Sequence, residues 1–164
     1  MGQTRKRTKR PIGVAVFQTG GVRGEVVLEQ TAPQTVSIQA IFFSLPAGKH
    51  GFHIHMAGDL RGKGCQGACA HYHVGAPTTH GDEPGTKRPR HTGDLGNIEM
   101  PRTGPFQKTW IIKGTNVRDL WGRSLIVHAD EDDLGLGGEA DSKVTGHSGA
   151  RIACAIIGRG LGSC

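Results

Sequence analysis

No apolar run in this sequence approaches the roughly 20 residues that a helix needs to cross a bilayer, which excludes a helical membrane protein. The first residues are basic and polar and lack the apolar stretch of a secretory signal. Met1-Gly2 would open a myristoylation signal, but Lys6 stands where that signal needs Ser or Thr. Four cysteines are too few to build a disulfide scaffold, and none form a C-x-x-C pair, which argues against a cysteine-based zinc site. No stretch has a convincing helical period, and there is neither an internal repeat nor a composition break that would mark a second domain. These absences leave a soluble, cytoplasmic single-domain protein as the expectation, and 164 residues are enough for one real core.

Acidic residues are also missing from the start of the chain. None precedes Glu25, whereas Arg5, Lys6, Arg7, Lys9 and Arg10 supply most of the net charge of +6. Residues 1–11 therefore read as a solvated basic arm, the one part with any affinity for nucleic acid or use in nuclear entry. Residues 12–158 form the globular domain, close to neutral and not a nucleic-acid binder, and residues 159–164 form a C-terminal tail.

The sequence is rich in glycine (27 residues) and in short apolar runs separated by Gly, Pro, Asp and Asn, the pattern of many short strands joined by turns. Strands are expected over residues 12–18, 25–30, 34–45, 49–56, 93–99, 106–112, 124–128 and 151–157. Thr19-Gly20-Gly21 is a hairpin turn signal between the first two. The third alternates most clearly, with Val36, Ile38, Ala40 and Phe42 on one face and Ser37 and Gln39 on the other. Trp110 is the expected core anchor of the sixth. Two long aperiodic segments, 57–91 and 129–150, interrupt this order, and loops of that length are commonly functional. The fold class is all-β: an eight-stranded antiparallel Greek-key barrel or sandwich, immunoglobulin-like, with two long functional loops.

The first of those loops belongs to the most informative stretch. Seven of the nine histidines lie between His50 and His91. Imidazole is the commonest protein ligand for copper and zinc, so the density points to a metal site. In His53-Ile54-His55 the two imidazoles fall on one face of a strand and Ile54 on the other, a rigid half-site. His71, His73, His80 and His91 lie on the irregular segment that must fold back over it, and Asp94 offers a carboxylate oxygen.

Several segments in order resemble the copper/zinc superoxide dismutase family. They are G-F-H-I-H (51–55), G-D (58–59), R-H-T-G-D-L-G-N (90–97), L-I-V-H-A-D-E-D-D-L-G (125–135), T-G-H-S-G-A-R-I-A-C (145–154) and I-I-G (156–158). The resemblance covers residues 12–158 and implies a superoxide dismutase with copper and zinc ions as cofactors and the superoxide anion as substrate. It implies copper on His53, His55, His71 and His128, with zinc on His71, His80, His91 and Asp94 and His71 shared by both. Asp132 would accept hydrogen bonds from one histidine of each set. Cys65 and Cys154 would form an intrasubunit disulfide, and Arg151 would attract and orient the anion. His71 and Arg151 are thus the expected catalytic pair. The resemblance further implies a homodimer, with Trp121, Ile156 and Ile157 available to the contact, and admits a copper chaperone as a partner.

The chain departs from the family pattern at several positions. His73 stands where asparagine is usual and competes as a ligand. Val144 replaces a common lysine, although Lys143 is adjacent. Ala57 replaces an aromatic, Arg159 an apolar residue, and Cys69 is an extra thiol. His50 reads as structural and His147 as a surface residue of a Gly/Ser turn. Two other function classes compete with the enzyme. An inactive metal-binding relative, acting as a chaperone decoy or a metal store, would be expected to lose a copper histidine or the arginine, and this sequence keeps them all. A nucleic-acid adaptor would depend on the basic arm alone.

Overall fold

The computed structural model describes residues 10–161, so all but Arg10 and Pro11 of the expected basic arm, and Cys164, lie outside the described residues. Nine strands form two antiparallel sheets. β1 (Ile12–Phe17), β2 (Arg23–Ala32) and β3 (Thr35–Ser44) run as successive neighbours in one sheet. β6 (Phe106–Lys113) completes one edge of that sheet and β9 (Gly158–Gly160) the other. The second sheet has the order β5-β4-β7-β8, from Asp94–Met100, Gly48–His55, Ser124–His128 and Arg151–Ile156. Among the described strands no ladder joins the two sheets, so the fold is a sandwich rather than a closed barrel.

The alternation of β3 is realised: Val36, Ile38, Ala40 and Phe42 are buried and Gln39 faces solvent. The few aromatics concentrate in the core between the sheets. The rings of Phe42 and Phe52 lie 5.7 Å apart, edge to face, and those of Phe52 and Trp110 lie 5.6 Å apart. Each fully buried ring contributes about 1.5–3 kcal/mol of transfer free energy. Gly20 and Gly21 both have positive φ, 63° and 78°, as the β1–β2 turn requires.

Two features fall outside the expected pattern. β9 pairs with β1 through Gly158, Arg159 and Gly160, so the sheet extends past residue 158. The described residues also include a kinked 3₁₀ segment at Lys63–Ala68 and two single turns of helix, α1 (Val117–Leu120) and α2 (Ser142–Thr145). Among the described residues no helix is long and apolar enough to cross a membrane.

The outer face of β4 and β7 is what positions the site. Phe52 and Ile54 of β4 point into the core, so His53 and His55 point the other way, yet all four are buried. The long loops provide the cover. The first returns beside β4, where Tyr72 N–H donates to Ile54 O and His55 and His71 form an isolated bridge. The second is tied to β4 by Gly51 N–H donating to Asp130 O, and to the first loop by His80 N–H donating to Lys143 O.

Candidate metal centre

β4 pairs with β7 in the register His53–Ile126 and His55–Ser124, and β7 pairs with β8 in the register His128–Arg151. The sheet therefore sets His53, His55, His128 and Arg151 side by side, and the loop adds His71. Each of the four imidazoles spends one nitrogen on an oxygen acceptor. His53 Nε2 lies 2.8 Å from Asp132 Oδ2, His55 Nδ1 2.8 Å from Cys69 O, His71 Nδ1 2.8 Å from Asp94 Oδ1 and His128 Nδ1 3.2 Å from Gly149 O. A proton on that nitrogen leaves a lone pair on the other. Those other atoms, His53 Nδ1, His55 Nε2, His71 Nε2 and His128 Nε2, are buried without a hydrogen-bond partner and lie within 4.8 Å of one another.

Four buried lone pairs directed at one point are costly unless something there accepts them. Protonation is opposed. Burial, reinforced by the neighbouring imidazoles, lowers the pKa of His55 to about 2, and burial above all brings His128 to about 4. His53 is lowered as well, again chiefly by burial. Neutral nitrogens that cannot take a proton suit a borderline-soft cation, and an all-imidazole set suits copper.

A second donor set adjoins the first through His71. His80 Nδ1 lies 3.3 Å from His71 Nδ1 and 3.1 Å from Asp94 Oδ1, and His91 Nδ1 lies 3.3 Å from Asp94 Oδ1. Donors arranged tetrahedrally about 2.0–2.1 Å from a zinc ion stand about 3.3 Å from one another, so the set has zinc's dimensions. Gly81 N–H and His91 N–H both donate to Asp94 Oδ2, fixing the carboxylate so that Oδ1 faces the histidines. Burial raises the pKa of Asp94, but the hydrogen bonds from His71, His80 and His91 outweigh it and hold the group well below the ordinary carboxylate range.

Asp132 joins the two sets. Its Oδ2 faces His53 and its Oδ1 faces His80 Nε2 at 2.8 Å. Burial disfavours a charged His80, yet Asp132 and Asp94 together bring its pKa up to about 9. Gly146 makes room for this contact: its φ is +72°, and a Cβ there would lie 2.1 Å from Asp132 Oδ1 and 2.5 Å from His80 Nε2.

A profile described as copper/zinc superoxide dismutase (SODC) matches residues 22–157. The chain belongs to the copper/zinc superoxide dismutase family. A superoxide dismutase [Cu-Zn] of Paramecium bursaria Chlorella virus 1 is 42% identical over 153 residues, which cover 91% of this chain and 79% of that protein. A copper chaperone for superoxide dismutase from Rattus norvegicus is 40% identical over 150 residues, 91% of this chain and 53% of that protein. The crystal structure of the clock protein EA4 superposes with a TM-score of 0.82 at 31% identity, covering 95% of this chain and 99% of that one.

The match spans most of the viral dismutase but about half of the chaperone, so this copper/zinc superoxide dismutase family member aligns as the dismutases do. The two predicted ligand sets come together as two adjoining clusters, Asp132 touches both, and Arg151 lines the cleft beside the first. The disulfide joins Cys65 to Cys154. It ties the first loop to β8, and the guanidinium of Arg151 donates to Cys65 O (2.9 Å) and Cys69 O (2.6 Å) of that loop. His73 is not a ligand: Nε2 lies 2.7 Å from Ala76 O and Nδ1 accepts from Thr92 N–H, so both nitrogens are engaged. His50 is buried between two carbonyls, of His128 and Pro46, as a structural residue. His147 is exposed and paired with Asp141 at 2.6 Å.

Asn97 is a site residue that sequence reasoning gave no role. Its amide accepts from Asp132 N–H at 2.8 Å and donates to Asp132 O at 2.9 Å, clamping the backbone of the residue that joins the sets. Its signal was present in the R-H-T-G-D-L-G-N segment.

Proposed function

We propose that this chain dismutates superoxide at a copper ion held by His53, His55, His71 and His128, beside a zinc ion held by His71, His80, His91 and Asp94. The observation that carries this reading is the convergence of four buried, unpartnered imidazole nitrogens on one point. An inactive decoy would have no use for a complete donor set with a guanidinium beside it.

Copper bound there supplies one-electron chemistry, alternating between Cu(II) and Cu(I) as one superoxide is oxidised to dioxygen and the next is reduced to hydrogen peroxide. Zinc supplies charge and structure without redox chemistry. The chain's own residues do the rest. Hydrogen bonds to Asp132, Cys69 O and Gly149 O hold His53, His55 and His128 in fixed tautomers, which leaves the copper-facing nitrogens aimed without reorganisation. His71 differs from these rings because it alone belongs to both four-residue donor sets, with Nδ1 beside Asp94 and Nε2 among the copper-facing nitrogens. Its Nε2 would be the nitrogen placed to exchange a proton on the copper side, where the reduced anion needs one. Arg151 keeps its remaining N–H donors for superoxide while three loop carbonyls, of Cys65, Gln66 and Cys69, hold its plane.

The test is the dismutation rate per bound copper on protein loaded with both metals. A near diffusion-limited rate that falls with salt is expected. A rate no better than that of loosely chelated copper, with copper demonstrably bound, would overturn the reading.

We also infer that two copies associate through a patch around Ile156 and Trp121. Ile156 is 46% exposed on β8, and the backbones of Gly58 and Gly122 meet closely beside it. Ile157, expected to share in this contact, is fully buried in the core instead, because alternate residues of a strand face opposite sides.

A further inference from the structure

A cleft of about 370 Å³ lies beside the copper-facing donor set, lined by His55, His71 and His128. One wall is α2 with its flanks, which present Asp141, Val144 and Thr145; Arg151 stands on the other side. Among the described residues, Arg151 is the only Lys or Arg lining this cleft. The exposed cation of α2, Lys143, is not among the residues that line the cleft. Val144 is 61% exposed and puts an apolar side chain at the rim, and Asp141 is an acid. Asp141 is paired with His147 at 2.6 Å, so the side chains that this wall turns to the cleft offer an anion no cation of their own.

A second depression, of about 540 Å³, adjoins the first: Gly149 and Arg151 line both. Its far side is the 3₁₀ turn of the disulfide loop, which contributes Lys63, Gly64 and Gln66. Lys63 is exposed, and among the described residues no carboxylate lies within ion-pair distance of it. The nearest acid in sequence, Asp59, is taken by Arg61 at 2.6 Å. From Arg151, then, one direction leads to a lining without a lysine and the other to the Lys63 ammonium.

We propose that anions reach Arg151 over the disulfide loop, and that Lys63 is the steering cation of this chain. The inference rests on the dismutase reading of the cleft, and it identifies which rim of that cleft the substrate crosses. The disulfide loop then has two tasks. Its carbonyls hold the Arg151 guanidinium, and its lysine supplies the approach potential. One unit charge acting through water at about 8 Å changes the local concentration of a monovalent anion by about twofold. Because Lys63 is exposed, that effect fades once the Debye length falls to about 3 Å near 1 M salt.

The test compares Lys63→Gln, Lys63→Glu, Lys63→Arg and Lys143→Gln in protein loaded with both metals. Two quantities are measured at low and high ionic strength: kcat/KM for superoxide and the azide affinity read from the copper absorption spectrum. K63Q is expected to lower both about twofold and K63E about fourfold at low salt, with K63R close to the unaltered protein and no effect of K143Q. The differences should vanish at about 1 M salt. A loss in K143Q with none in K63E would overturn the inference and assign steering to the α2 side. A loss in K63E that persists at high salt would also overturn it, since a structural effect is not screened. If the unaltered protein bound azide in the Lys63-dependent way but failed to dismutate superoxide, the entry route would stand and the enzyme reading would fall.

Discussion

At the scale of single residues, the site is a set of histidines kept neutral by burial and aimed by their second nitrogen. That has a consequence for the metal-free fold. His55, His128, His53 and His71 all have folded pKa values below the ordinary 6.5, to about 2 for His55 and about 4 for His128. The folded chain therefore binds fewer protons than the unfolded chain below pH 6.5, and stability present above that pH is lost as the pH falls towards 4. His80, raised to about 9, works in the opposite sense, but its contribution is already complete below pH 6.5 and does not offset the loss. The urea midpoint of the metal-free protein is expected to be lower at pH 5 than at pH 7. A midpoint that rose on acidification would contradict the assignment of these rings as neutral. Of the histidines, His53, His55 and their shared face were legible from alternation alone. His73 was not resolved by the sequence, because only the fold reveals that Ala76 O and Thr92 N–H occupy both of its nitrogens.

At the scale of elements, the disulfide loop and β8 behave as one unit. The bridge from Cys65 to Cys154 closes 89 residues of chain and lands three residues beyond Arg151. Removing such a bridge costs about 2–5 kcal/mol. It should also release the carbonyls of Cys65 and Cys69 from the guanidinium. Cys154→Ser is expected to lower the unfolding free energy by that amount and to reduce kcat/KM for superoxide with copper still bound. Full kcat/KM in a destabilised variant would mean that Arg151 is held without the loop. Most strand boundaries were legible to within one or two residues, since apolar alternation persists along them. β9 was not, because Gly158-Arg159-Gly160 has no alternation and is a strand only through its pairing with β1. The single-turn helices α1 and α2 escaped for a similar reason: four residues are too few to display a 3.6-residue period.

At the scale of the whole molecule, two sheets place their apolar faces against each other and leave one outer face to the loops. The patch at Ile156 and Trp121 lies apart from that covered face, and Arg118 and Arg159 stack over the indole ring. Sedimentation at micromolar concentration is expected to give a species of twice the 17.4 kDa chain mass. A single 17.4 kDa species would show that the two arginines keep copies apart.

The sequence by itself determined the strands, the all-β class, the ligand types and, through segments in family order, the identity of both donor sets. Periodicity and side-chain chemistry are local properties, and a segment carries them wherever it folds. Only the tertiary structure decided which histidine of each set Asp132 holds, His53 and His80, that Asn97 clamps Asp132, and that His73 is excluded from the metals. It alone set Lys63 and Val144 on opposite sides of Arg151. Those relations depend on how two aperiodic loops, bent by glycines and tied by backbone hydrogen bonds, close over a sheet face, and no local pattern encodes such a closure.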